Sequence, residues 1–337
     1  MTGLLTVVAA LFALNVVFAF VVILLRIRSN HRAKRFGRIE SRWEPVLVQA
    51  IGDGDDVVPR VPGRELRHVL EIAGRFARRL RGPDRERVQG FSAPLVGLLL
   101  PDLTARTAEK RAATVELLGV LALDEYGARI VAALDDPSPR VSLVAARALS
   151  SPDHTQYTAD VLNRLHRYSN WSPSLMSSML AQVGPGALED LRRCLADVTQ
   201  PAQGRAVVAG ALRLLRDPEG APIAADALGS ANPDLVVACL RLIDAVGSIE
   251  QADAVRPMLA HPTFFVRAEA ATVLSHIGGS SDVDAVARMI HEDSPWVAIR
   301  SARALLALGQ REMLEDLSLG RDLAAESARE VLYEEAV

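Results

Sequence analysis

The sequence predicts an all-α fold, an α-solenoid of stacked helical hairpins preceded by a single transmembrane helix. Three observations carry this. First, His261–Gly278 is repeated by Asp293–Gly309, with Val266 falling on Val297, Ala271 on Ala302, Leu274 on Leu305, Ile277 on Leu308 and Gly278 on Gly309, a period of 31 residues. Gly247 closes a third copy, with Leu235, Leu240, Ile243 and Val246 in the same slots. A fixed period near this length with a helical pattern inside it marks a repeat architecture. Second, half of the 337 residues are hydrophobic but only 4% are aromatic, which suits helices packed through small side chains rather than one large core. Third, Leu4–Leu25 is uncharged throughout.

That apolar run is long enough to cross a bilayer at 1.5 Å per residue. Its start carries no Lys or Arg, and Arg26-Ile27-Arg28 follows it, so an uncleaved anchor is expected over residues 1–25 rather than a signal peptide. Arg26, Arg28, Arg32, Lys34, Arg35 and Arg38 form a basic juxtamembrane segment over 26–45, which predicts the N-terminus outside and the repeats in the cytoplasm at the inner membrane. These cations, with Trp43, are the candidate membrane-surface residues, and anionic lipid headgroups their expected partner. Trp43 has a second reading, as a cap on the first soluble helix. Ala9 and Ala13 form a weak small-xxx-small pair.

Charge is unevenly spread. Residues 1–87 hold 16 Lys/Arg against 9 Asp/Glu, and the remainder 22 against 32. The acidic remainder argues against nucleic acid as a partner. Residues 46–104 read as a helical cap region. Asp53, Asp55 and Asp56 begin like a calcium loop but lack its downstream Gly and Glu. Arg64–Leu80 is amphipathic, with Leu66, Val69, Leu70, Ala73, Phe76 and Ala77 on one side and Arg64, Arg67, Arg75, Arg78 and Arg79 on the other. That basic side is either a solvated face or a continuation of the basic surface. Residues 82–104, with Pro83, Pro94 and Pro101, read as a short connector.

The solenoid occupies 105–337. Longer second helices are predicted near 107–121, 140–150, 173–183, 203–216, 234–246, 263–277, 295–308 and 321–335, each after a shorter one such as Glu189–Asp197 or Val283–His291. Prolines at 137, 139, 173, 201, 233, 262 and 295 start helices, where a missing amide is harmless. Gly184, Gly247, Gly278 and Gly309 are placed at helix ends in left-handed conformations.

Asp136-Pro137-Ser138-Pro139 leading through Val141 to Ala145-Ala146 and Leu149, and Val266-Arg267 leading to Ala270-Ala271, Leu274 and Gly278, resemble HEAT repeats of the short kind, also found in phycobilisome-lyase-like proteins. Two places depart from the pattern: Ala298 stands where Arg267 does, and Ser172–Gly184 fits only in part, which predicts irregular units there. The layout as a whole, one span, a basic segment and repeats, resembles bacterial membrane proteins that accompany glycosyltransferases of exopolysaccharide systems.

No catalytic motif is present, no phosphate-binding loop and no paired-cysteine site. Cys194 and Cys239 read as small core residues. His261, His276 and His291 recur every fifteen residues, out of step with the repeat, so they are not expected to converge on a metal. No cofactor is implied. Trp171, Phe265 and Trp296 each precede a helix-ending glycine by thirteen residues and are the candidate protein-binding residues, either as anchors along one edge or as fillers between units. The expected function is a non-enzymatic, membrane-anchored scaffold or regulator that binds a protein partner, with a membrane glycosyltransferase as the partner the resemblance implies. The alternative is a HEAT-type lyase- or isomerase-like enzyme.

Overall fold

A computed structural model of the chain describes residues 36–52 and 59–336, with Phe18, Phe20 and Arg26 described singly. Among the described residues every regular element is helical. The chain divides into two compact units, Met1–Gly127 and Ala128–Val337.

The N-terminal unit contains α1 (residues 36–52), α2 (Gly63–Arg79), α3 (Pro83–Val96), a 3-10 stretch over Gly97–Thr104, and α4 (Ala108–Leu121). Helix α2 packs against both α3 and α4, so its buried arc is wider than the predicted stripe and takes in Ile72 and Gly74. Residues 82–104 are not a connector. Pro83 sits at the first helical position, and Pro94 lies in the last turn, where the missing amide removes only one helical bond. The helix therefore survives to Val96 before tightening to 3-10.

The expected anchor is corrected. Among the described residues no helix is long and apolar enough to cross a membrane. Helix α2, with 17 residues, reaches about 26 Å at 1.5 Å per residue against a hydrocarbon core of about 30 Å, and it is amphipathic. The predicted span itself lies outside the described residues except Phe18 and Phe20, as do Asp53, Asp55 and Asp56. With the anchor go the inner-membrane location, the N-outside topology and the membrane-bound glycosyltransferase partner.

The second unit is a helical-repeat solenoid. After α5 (Gly127–Ala133), α6 (Pro139–Leu149) and α7 (Thr158–Leu162) come the second helices α8 (Pro173–Ala181), α10 (Ala202–Leu214), α12 (Pro233–Val246), α14 (Phe264–Ile277), α16 (Pro295–Ala307) and α18 (Leu323–Ala336). Each of these six packs on the next. Shorter first helices alternate with them: α9 (Leu188–Ala196), α11 (Gly220–Asp226), α13 (Ala252–Val255), α15 (Val283–Met289) and α17 (Arg311–Ser318). Leu235, Val266 and Val297, then Leu274 and Leu305, are fully buried at equivalent places. Burying each such side chain contributes about 1.5–3 kcal/mol, so the stack is held mainly by this apolar seam.

The helix-end glycines divide into two kinds. Gly184 and Gly309 are left-handed, with φ of 81° and 78°. Gly247 and Gly278 instead have φ of −73° and −77°, where any residue is allowed. A side chain there would strike the carbonyl oxygens of Ile243 and Leu274, so close approach rather than handedness requires glycine.

Ala298 causes no break: it is fully buried, and α16 packs on both α14 and α18. The irregular place is α8, with 9 residues against 13 or 14 in the second helices that follow; a 3-10 turn, Leu165–Tyr168, precedes it as others precede α12 and α14. The Tyr168 hydroxyl meets Ser142 Oγ at 2.9 Å, and Ser142 Oγ donates to the Leu134 carbonyl at 2.6 Å.

Ion pairs tie successive units. Arg192 Nε donates to Asp217 at 2.8 Å, Arg267 Nη2 to Glu292 at 2.6 Å, Arg241 Nε to Glu269 at 3.1 Å, and Arg256 pairs with Asp282. Asp282 is fully buried and also accepts the Gly279 amide at 2.9 Å. Burial pushes its carboxyl up, but the hydrogen bonds from Arg256 and the Gly279 amide outweigh this and hold it below the ordinary carboxylate value.

A carboxyl lowered by folding stabilises the fold above its unfolded value, near pH 4, and loses that contribution as pH falls through the lower folded value. Arg256→Ala should therefore lower the urea-unfolding free energy at pH 7, by less than for a fully buried pair because Arg256 is partly exposed, and the difference should shrink below about pH 4. A difference independent of pH would mean that Arg256 acts by packing alone. Gly210→Ala reports on the seam. In an open helix the change gains about 0.8–1.0 kcal/mol, but here the new methyl meets Ser177 Oγ and comes within 3.0 Å of Ser177 Cβ, and overpacking costs about 1–3 kcal/mol. A lower melting temperature is expected; a higher one would show the α8–α10 contact to be loose.

Candidate functional site

The candidate site is the edge formed by the starts of the second helices. Ser294 and Thr263 cap α16 and α14, which puts Trp296 and Phe265 at the second helical position of adjacent, packed helices. Trp296 is 54% exposed, with the Arg300 guanidinium 5.4 Å from its ring centre. Phe265 is half-buried and meets Phe264 edge-on at 5.6 Å. Phe264, 47% exposed, takes the outward position that the sequence assigned to its neighbour.

Trp171 does not share that position. Helix α8 has only 9 residues, against 14 in α14 and 13 in α16, so its start lies closer to its glycine. Counting back from the glycine therefore misplaces Trp171: it lies before the cap Ser172, and the residue equivalent to Trp296 is Ser174. The structure thus brings Phe265 and Trp296 together on neighbouring repeats and sets Trp171 apart.

Trp171 instead lines a shallow groove between the Leu165–Tyr168 turn and the starts of α8 and α10. Leu165, Tyr168, Met176, Pro201 and Val207 supply its apolar wall, and His166, Ser169 and Gln203 its polar rim. The Trp171 amide donates to the Tyr168 carbonyl at 2.9 Å, and Gln203 Nε2 donates to the Ser169 carbonyl at 2.8 Å. Trp171 is 36% exposed. The sequence reading missed Phe264, Tyr168 and Gln203. The one available signal was the Tyr168–Trp171 pair just before a proline-started helix that fits the repeat poorly.

The basic residues are distributed differently from expectation. Arg28, Arg32, Lys34 and Arg35 lie outside the described residues, and Arg26 is exposed. Arg38 lies in α1. Trp43 is a core residue, not a surface one: it is buried in the N-terminal unit and its Nε1 donates to Glu65 Oε2 at 2.9 Å. On the basic side of α2, Arg67 bonds Asp102 at 2.9 Å, Arg75 pairs with Glu40, and Arg78 lies 3.5 Å from Glu116. These pairs tie the unit internally and reduce the net positive face presented to any anion.

Polar groups elsewhere serve local roles. His261 Nδ1 accepts the Thr263 amide at 3.0 Å, and His276 Nδ1 lies 2.6 Å from Asp244. Among the described residues no group of three or more His, Cys, Asp or Glu is placed to hold a metal ion. Burial pushes the Cys239 thiol up to about 12 and the Cys194 thiol up to about 11. Cys194 lines a second, open depression with Asp190, Arg193 and Asp197, but at neutral pH its thiol is protonated and a poor nucleophile.

Residues 226–309, about a quarter of the chain, match the family model for HEAT repeats. No curated protein matches the chain. Among solved structures, human deoxyhypusine hydroxylase in complex with glycerol is similar at 16% identity over 81% of this chain and 97% of that chain, with a TM-score of 0.33. Kap121p bound to RanGTP is similar at 11% identity and a TM-score of 0.38, over 84% of this chain but 42% of that one. The complex of CpcE and CpcF of phycocyanin lyase from Nostoc sp. is similar at 15% identity over 81% of this chain and 94% of that chain, with a TM-score of 0.27. Likeness at this level says nothing of activity or partner. The stretch from α12 through α16 is what is similar to HEAT repeats, and the helices before and after it continue the same stacking.

Proposed function

We propose that the chain is a non-catalytic scaffold that binds a protein partner along the starts of its second helices, with Trp171, Phe265 and Trp296 as anchors. The observation that carries this reading is the exposure of Phe264 and Trp296 on neighbouring repeats, with Trp171 exposed separately just before α8, in a chain where only 4% of residues are aromatic. Aromatic side chains dominate interface energetics, and leaving them in water is unfavourable unless something covers them. Stacked helices offer such residues at fixed spacing over a long surface. The lyase-like alternative needs a nucleophile or proton-transfer group at neutral pH. Its best location is the depression beside Cys194, where burial keeps the thiol protonated.

The triple variant Trp171→Ala, Phe265→Ala, Trp296→Ala separates anchoring from packing. With a partner established by reciprocal capture, the variant should bind at least about 100-fold more weakly, since aromatic anchors each contribute about 2 kcal/mol or more, while its melting temperature changes little. Undiminished binding together with a large fall in melting temperature would make the three residues fillers between units and end the proposal.

A further inference from the structure

Resting on the protein-binding reading above, we infer that Arg300, stacked on Trp296, takes a carboxylate of the protein partner, with an apolar neighbour of that carboxylate against the Trp296 ring. The starting point is a break in the repeat. Arg241 on α12 donates to Glu269 on α14 at 3.1 Å, a separation of 28 residues, and Arg300 on α16 donates to Thr272 on α14 at 3.0 Å, again a separation of 28. These are the same contact one period of 31 residues apart: Thr272 stands where Arg241 does, and Arg300 where Glu269 does. One repeat further on, Arg303 stands in the Arg241 slot and again meets a glutamate, Glu334, at 2.9 Å. The middle rung has exchanged its carboxylate for a guanidinium and its arginine for a hydroxyl.

Arg300 is oriented from two sides. Its Nη1 is fixed by Thr272 Oγ1, and its guanidinium lies 5.4 Å from the centre of the Trp296 ring. Among the described residues it forms no ion pair, whereas Arg241 and Arg303 on the flanking rungs each meet a carboxylate. Glu269 lies one helical turn from Thr272, but it is mostly buried and committed to Arg241. A guanidinium has five N–H donors, and Thr272 takes one. A carboxylate is the group whose two oxygens match a pair of the remaining donors. Charge count selects it over a phosphate dianion, which would call for a second uncommitted cation: Arg303, the next arginine on α16, is already held by Glu334. Exposed Trp296, and exposed Phe264 on the adjacent, packed α14, supply apolar area for the residue beside the carboxylate.

A phage-displayed random dodecapeptide library, panned on the full chain, supplies the probe, and enriched peptides are measured by fluorescence anisotropy. They should share an Asp or Glu beside a large apolar residue. Arg300→Ala should weaken them at least about tenfold, a loss of about 1.4 kcal/mol, and Arg300→Glu should shift the preference to versions with Lys in place of the acid. Thr272→Glu returns a carboxylate to the rung without touching Trp296; it should weaken the same peptides to a similar degree while the melting temperature holds or rises. Affinity unchanged in both Arg300→Ala and Thr272→Glu would overturn the inference. If such peptides still lose affinity in Trp296→Ala, Arg300 only covers the ring and the protein-binding reading stands. Enrichment of basic or uncharged peptides, or tighter binding when phosphoserine replaces the Asp or Glu, would also overturn it. So would a panning that enriches nothing, which leaves the triple variant to decide the broader reading.

Discussion

The apolar stripe of each second helix can be buried only against the helix that follows it. That constraint runs through the second unit. It explains why Leu235, Val266 and Val297 recur at one depth, and why small residues line the closest approaches. Gly210 lies against Ser177, and Gly247 and Gly278 lie against carbonyl oxygens of the preceding turn. The ion pairs follow from the same geometry. The carboxylates Asp217 and Asp282 are carried inside between units, and Arg192 and Arg256 reach from the preceding unit to meet them. Removing either partner leaves a buried charge, so these pairs fix how units sit on one another more than they add net stability.

Local pattern made most of the helical layout legible. The second helices predicted at 234–246 and 263–277 are observed at Pro233–Val246 and Phe264–Ile277, because prolines at first turns and glycines at ends are strong boundary signals. Three features were not legible. The stretch with Pro83, Pro94 and Pro101 read as a connector, since a proline in a last turn looks in sequence like a helix breaker but costs only one bond. Trp43 sat beside a basic cluster and read as surface, but its burial depends on Glu65, 22 residues away. Trp171 was placed by its distance to Gly184, and the shortness of α8, 9 residues, broke that measure. Each miss came from a contact or boundary that no local window contains.

Several polar groups that could do chemistry are occupied by structure. His261 caps a turn, Asp282 holds an amide and an arginine, and both cysteines stay protonated at neutral pH. Exposed aromatic area is the feature that this packing leaves unused.

The central claim is that stability passes from each repeat only to its neighbours. Native-state hydrogen exchange on Leu274→Ala measures this directly. Leu274 is fully buried in α14, which packs on α12 and α16. Protection should fall in α12, α14 and α16, while α8 and α10 exchange as before. An equal loss of protection across all of the second unit would mean one shared core and would contradict the account.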